Sequence, residues 1–224
     1  MNKDFWKLML GKIQKDADDM TQLEKISLFL RDLIIITVLF FLIIRPLIIA
    51  GYEVPTPSME PTIMTGTKLI GLPILYGGYI PFTDIKMPAI LKIKRQSIVI
   101  FKFPLNEREY YVKRVIGLPG DIVEIRGKNV FVNGQLLDEP YTQYISDPLY
   151  ESNPDFVRPN FGPITVPKNH YFVMGDNRDN SYDSREWGFV PKKNIFAAPL
   201  LIYWSYDRDA KKIRTSELFK IIIK

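Results

Sequence analysis

The run Leu33–Ile44, LIIITVLFFLII, holds no residue more polar than Thr37. A helix made from it has no polar face to turn toward water. Continued through Arg45 and Pro46 to Ala50, it covers 18 positions. As a helix that is about 27 Å, close to the roughly 30 Å of bilayer hydrocarbon. The pattern predicts a transmembrane segment over residues 33–50. Ser27–Leu30 would lengthen it, with Arg31 and Asp32 near one interface and Arg45 snorkelling at the other. A buried core helix is the alternative. A cleavable export signal fits poorly, because 32 residues precede the run and no clear Ala-x-Ala site follows it. The segment reads as an uncleaved signal-anchor. Charges within residues 1–32 roughly cancel and do not decide topology. Phe5, Trp6, Leu8 and Met9 hint at a short amphipathic helix there, and Ala17–Asp32 at a helical segment running into the span.

After Gly51 the texture changes to short β-rich runs separated by turn signals. Strands are expected at Lys68–Leu72, Ser97–Phe103, Tyr110–Ile116, Asp121–Ile125, Asn129–Val132, His170–Met174, Gly188–Pro191 and Phe196–Tyr203. Asn133-Gly134 is a two-residue hairpin signal. Residues 51–224 thus read as a mostly β domain of many short antiparallel strands. Residues 138–163, rich in Pro, Asn, Asp and Tyr, read as a surface excursion, and Ser216–Lys224 as a short helix or fraying end.

The composition narrows the chemistry. There is no cysteine and one histidine, His170. Thiol catalysis and disulfides are excluded, and a Ser-His-Asp triad has little to build on. The net charge of +5 comes from 30 basic and 25 acidic residues, well mixed. That points away from nucleic acid; attraction to anionic lipid headgroups is its more natural use.

Three segments look unlike routine strand or loop. In Val54-Pro-Thr-Pro-Ser-Met-Glu-Pro-Thr62, prolines hold the backbone stiff around Ser58; a plain linker would read the same way. In Tyr110-Tyr-Val-Lys-Arg-Val-Ile-Gly-Leu-Pro-Gly-Asp121, strand alternation puts Lys113 and Arg114 on opposite faces. One of them must then point inward in a half-buried strand. Desolvation can turn a lysine into a neutral base, which arginine cannot become. Exposure of both on an edge strand is the blander reading. The third segment, Met174 to Arg185, is dominated by Asp, Asn, Ser and Arg and reads as a highly specified hydrogen-bonded loop. It lacks the spacing of a calcium-binding EF-hand.

Together, in this order behind an apolar anchor, these segments resemble the bacterial type I signal peptidases, or leader peptidases. The resemblance implies a role for each matching residue. Ser58 matches the nucleophile and Lys113 the general base. Ser181 matches the serine that orients that lysine. Thr56 matches the hydroxyl that assists the Ser58 N–H in the oxyanion hole. Asp183 and Arg185 match a structural ion pair beneath the site. Gly175, Asp176 and Asn177 match a supporting turn, and Met59, Pro61 and Thr62 complete the nucleophile motif. Pro57 stands where the family often has glycine, and Gln96-Ser97 where it usually has Gly-Asp; Gly66-Thr67 alters a similar turn. The excursion at residues 138–163 is short beside the large insertion of some members.

The resemblance implies a membrane-bound serine endopeptidase that cuts signal peptides from exported preproteins, without metal or cofactor. It places residues 1–32 in the cytoplasm and residues 51–224 on the outer face of the bacterial plasma membrane. The substrate is expected to lie extended beside a strand edge. The lipid bilayer is an expected partner, and the translocation machinery a possible one. The segments Leu69–Tyr79 and Ile80–Leu91 are candidates for lipid contact, with ordinary core packing as the alternative. Two other readings remain: a self-cleaving Ser-Lys protease akin to SOS-response repressors, for which residues 1–32 offer no helix-turn-helix, and a membrane-anchored β-rich binding module without catalysis.

Overall fold

The computed structural model describes residues 20–83, 85–144 and 160–223. The expected helix around Phe5 lies outside them. The chain divides into two compact units, residues 1–46 and 47–224.

In the first unit, α1 spans Gln22–Leu39. Thr21 caps it: Glu24 N donates to Thr21 Oγ1, and Thr21 N donates back to Glu24 Oε2, a reciprocal arrangement that satisfies two otherwise orphaned amides. The helix continues through a wider turn, Phe40–Ile44, into α2, Arg45–Ile48. Pro46 accounts for the wide turn. It has no N–H, and its ring clashes with the carbonyl four residues back in a regular helix. Here Arg45 N donates to Phe40 O, five residues back. The whole helix, Gln22–Ile48, runs 27 residues with a mean hydropathy of 2.5, and its apolar span is unburied. At 1.5 Å per residue it is about 40 Å long, enough to cross a bilayer. Unburied apolar side chains over that length suit a single membrane anchor and not a core helix. Ala50, which the apolar pattern assigns to the span, instead opens the first strand.

The second unit is antiparallel β structure. Its strands are β1 (Ala50–Val54), β2 (Thr67–Leu72), β3 (Ile98–Phe103), β4 (Asn106–Gly117), β5 (Ile122–Arg126), β6 (Asn129–Val132), β7 (Gln135–Leu136), β8 (Asn160–Thr165), β9 (His170–Met174), β10 (Val190–Pro191), β11 (Ile195–Asp207) and β12 (Lys212–Ile213). Among the described residues, an eight-stranded sheet runs β1-β2-β11-β3-β4-β9-β10 with β12 on β11, and a four-stranded sheet runs β7-β6-β5-β8. The Asn133-Gly134 hairpin forms as expected, both residues having positive φ, the requirement of a tight primed turn.

Three strands escape the sequence pattern. β1 hides behind the apolar run, β12 is two residues long, and β8 lies partly within the expected excursion. β8 carries Gly162 and Pro163, which disguise it, and pairing with β5 from Ile122↔Thr165 to Arg126↔Asn160 creates it. The candidate lipid-contact segments divide. Leu69 and Tyr76 are buried in core clusters, whereas Phe82, Ile85, Ile90 and Leu91 are exposed. Among the described residues, the C-terminal ones up to Ile223 form no helix beyond the turn Thr215–Glu217. They return along β11, and Ile222 is buried beside Met59 and Ile63.

Candidate active site

Ser58 sits in the short turn Pro57–Met59 that follows β1. Pro57 occupies its first position, where a missing N–H costs nothing and a fixed φ is already suitable. The departure from glycine is thus compatible with the local backbone. Met59 and Ile63 drop into the core on either side of exposed Pro61. Lys113 comes from β4, opposite Val99 of β3. Its Nζ lies 2.5 Å from Ser58 Oγ, and both side chains are buried. Thr56 Oγ1 is 3.3 Å from the same Ser58 oxygen.

Burial, with some help from Arg185, pushes the Lys113 ammonium down to about 8, against the opposing pull of Asp183 and Asp176. The carboxylates cannot restore the ordinary value because each is already engaged. Burial alone would raise Asp183, but Arg185 and the amide of Gly175 outweigh it and hold the carboxyl below its usual range. Arg185 Nε and Nη2 each donate to Asp183 at 2.9 Å, so the expected ion pair is present.

The loop after β9 braces the turn that carries Ser58. Asn177 N donates to Ser58 O at 3.2 Å, and Asn177 Nδ2 donates to Pro57 O at 3.3 Å. Gly175 faces the site with no side chain to spare. A Cβ there would lie 2.3 Å from Ser58 O and 2.3 Å from Ser181 Oγ. Ser181 Oγ is buried and makes no hydrogen bond of ordinary geometry, with Lys113 or any other described residue, although it lies near enough to Asp183 to help hold that carboxyl low.

On the opposite face of β4, Arg114 is buried as fully as Lys113, 6% against 4% exposed. The alternation argument, which sends one of the two inward, is corrected here: both point inward, because packing covers both faces of β4 at this point. Arg114 grips Asp176 with two bonds, Nε at 2.8 Å and Nη2 at 2.6 Å. Thr62 donates to the same carboxylate at 2.5 Å, and Tyr141 lies 3.8 Å beneath the guanidinium. Arg178 donates through both Nη atoms to Glu139. Gln143 bonds to the backbone of Asp176 and Arg178. Sequence reasoning missed the support from Glu139, Tyr141 and Gln143, since nothing local marks a partner so distant along the chain. Gln96, in the altered Gly-Asp turn, takes φ +67°, a conformation that costs a non-glycine residue about 1–2 kcal/mol. Its side chain bonds to Asp138 O and its carbonyl accepts from Arg114, which offsets part of that cost.

A cleft of about 380 Å³ leads to Ser58 and Lys113 between Glu53–Pro57 and Glu109–Val112, with Asn180 and Tyr182 at its side. Both walls offer free strand edges. β1 is the first strand of its sheet. β4 pairs with β3 along Tyr110–Arg114, but β9 joins its other edge only from Arg114 onward. Two unpaired edges flanking a groove suit an extended peptide.

Fold and site together define an antiparallel β serine hydrolase with a lysine in place of histidine, carried on a chain with a membrane-anchor helix. Residues 27–204 match the family model described as signal peptidase, peptidase S26. The chain is similar to a probable signal peptidase I-2 of Synechocystis sp., 36% identical over 74% of this chain and 67% of that protein. It is similar to signal peptidase I S of Bacillus subtilis, 35% identical over 80% of this chain and 89% of that protein. It is also similar to the signal peptidase I of Pseudomonas aeruginosa, at 32% over 74% and 68%. The chain belongs to the signal peptidase I family, peptidase S26.

Proposed function

We propose that this chain is a membrane-anchored serine endopeptidase that removes signal peptides from exported preproteins, with Ser58 as nucleophile and Lys113 as general base. The observation that carries the residue assignment is the short contact between Lys113 Nζ and Ser58 Oγ in a buried setting. Burial favours the neutral amine, and a neutral amine at hydrogen-bond distance can take the serine proton. Ser58 Oγ then attacks the scissile carbonyl. The Ser58 N–H and the Thr56 hydroxyl receive the developing oxyanion. Protonated Lys113 delivers its proton to the leaving amine. Water, deprotonated by Lys113, cleaves the acyl-enzyme.

The substrate lies extended in the cleft between β1 and the free edge of β4. Ser181 is assigned the orienting role toward the lysine by likeness to the family, and Thr56 completes the oxyanion hole. Met59, Pro61 and Thr62 shape the nucleophile turn, and Gly175, Asp176, Asn177, Asp183 and Arg185 brace it. Residues 1–32 face the cytoplasm, the apolar run from Leu33 anchors the chain, and the β domain that opens at Ala50 works on the outer face of the plasma membrane. Exposed Phe82, Ile85, Ile90 and Leu91 contact lipid there. The translocation machinery delivers the substrate.

The test is cleavage of preproteins in detergent or lipid, with sequencing of the new N-terminus. The parent should cut after a small-x-small pattern, and Ser58→Ala and Lys113→Ala should leave the precursor intact. Cleavage by either variant at the parent's rate would overturn the residue assignment. A parent inactive on several preproteins would move the reading to self-cleavage.

A further inference from the structure

The loop that leaves the nucleophile, Glu60–Gly66, has no strand or helix of its own, so other groups must fix it. From within, Glu60 accepts from Thr65 N and Oγ1, and Ile63 N donates to Met59 O. From one side comes the network of Asp176 and Arg114. From the other side comes the end of the chain. Lys220 Nζ donates to Thr62 O at 3.2 Å. Arg214 Nη1 donates to Thr65 O at 2.8 Å. Ile222 fills the core between them, in contact with the cluster of Met59 and Ile63.

Both cations are themselves held. Glu217 pairs with Lys220 at 3.0 Å. Arg214 also donates to Tyr206 O and pairs with Asp207. The backbone beneath them is stitched to β11, with Phe219 N donating to Ile202 O, Ile202 N to Lys220 O, and Ile222 N to Leu200 O. The segment therefore presents two charged donors on a rigid edge, aimed at two main-chain carbonyls of the loop. The family match ends at residue 204, so this segment lies beyond the part of the chain that the family model describes.

We propose that the C-terminal segment Arg214–Ile222 is a positioning element for the nucleophile, with Lys220 and Arg214 acting as positioning residues through the carbonyls of Thr62 and Thr65. The inference rests on Ser58 being the nucleophile. Ser58 lies four residues before Thr62, on a turn whose near end is fixed by Asn177 and whose far end is fixed by the C-terminal segment. Freeing the far end lets Ser58 Oγ drift from Lys113 Nζ without touching either side chain. Reaction rates are steep in such displacements, about a hundredfold for 1 Å. Loss of one anchor of several should cost about a tenth of that range.

The experiment uses the full-length protein in detergent micelles with one preprotein, and compares the parent with Lys220→Met, Lys220→Arg, the double variant Arg214→Met/Lys220→Met, and Ser58→Ala. Lys220→Met should lower kcat about tenfold and leave KM within twofold, with an unchanged pH midpoint and a thermal transition above the assay temperature. Lys220→Arg should recover kcat to within about threefold of the parent, since it can donate to the same carbonyl, and the double variant should fall further than either loss alone. The proposal is overturned by a parental kcat in both Met variants, by a loss that matches the unfolded fraction at the assay temperature, or by a change confined to KM. Ser58→Ala separates the two readings. If it is inactive while the Met variants cleave normally, only the positioning role fails; if it cleaves, the nucleophile assignment has failed first.

Discussion

Lys113 and Arg114 are neighbours on β4, equally buried, and point to opposite faces. One is kept poor in partners and the other rich. Lys113 meets a serine hydroxyl and, among the described residues, no carboxylate at bonding distance, and burial drives it toward its neutral form. Arg114 has a bidentate carboxylate, a threonine hydroxyl, a main-chain carbonyl and an aromatic ring, and it cannot lose its proton in any case. The same cost of desolvation is left uncompensated on one face, where it favours the neutral amine that a base needs. It is compensated on the other, where it makes a brace. The face that is poorly satisfied is the one proposed to react.

Four experiments sharpen or break this contrast. The largest effect should be Lys113→Met. Loss of the base should lower kcat by roughly a thousandfold or more, yet the protein should become more stable near neutral pH. The sign follows from linkage. The lysine is depressed to about 8 in the fold, so between pH 8 and its ordinary value near 10.5 the unfolded chain binds the extra proton, and stability rises with pH across that window. Below pH 8 the penalty is fully present, on the order of 3 kcal/mol. Denaturant unfolding of parent and variant at pH 7 and pH 10 should show the gap shrinking at the higher pH. In the parent, log kcat/KM should climb with unit slope and level off near pH 8. A variant less stable than the parent at pH 7 would break the contrast.

Arg114→Met should act in the opposite direction. Removing one partner strands the Asp176 carboxylate, and breaking a buried pair this way costs about 3–5 kcal/mol. Urea unfolding should register that loss, and activity should fall only with the folded population and the looser loop. An Arg114→Met protein of parental stability would show that the network is redundant.

Thr56→Val tests the reactive face without altering the base. The hydroxyl stands beside Ser58 Oγ. Its removal should reduce kcat by about ten- to a hundredfold, at or below the range for one oxyanion donor, with KM little changed. A KM effect alone would move Thr56 from transition-state stabilisation to substrate binding.

The smallest change should be Gln96→Gly. Glycine relieves the positive φ and forfeits the side-chain bond to Asp138. The two nearly cancel, so unfolding should shift by less than about 1 kcal/mol. A loss above 2 kcal/mol would mean that the Gln96 side chain, and not only its carbonyl, holds Arg114 in place.

Much of the site was legible because its chemistry is local in sequence. Pro57 sets the turn at Ser58, alternation separates Lys113 from Arg114, and dense short polar side chains mark the loop that braces them. The pairing of Asp183 with Arg185 spans two residues, and it was the likeness to signal peptidases that implied it. The contacts of Asn177 with the Ser58 turn, and of Glu139 with Arg178, could not be read from the sequence, because each joins residues brought together by the fold. The likeness to signal peptidases supplied an orienting role for Ser181. The geometry leaves its hydroxyl without an ordinary hydrogen bond.

The likeness to signal peptidases supplied the roles of Ser58 and Lys113, while the sequence by itself determined the apolar anchor and the strand-and-turn character of the rest. These depend on composition, period and spacing, which are properties of neighbours along the chain. Only the tertiary structure decided that both faces of β4 are covered, that Asn160–Thr165 is a strand, and that Arg214–Ile222 reaches back to the loop after Ser58. Each depends on surface removed from water by a distant segment. Burial is what separates an ordinary lysine from a base, and burial is a property of the folded whole.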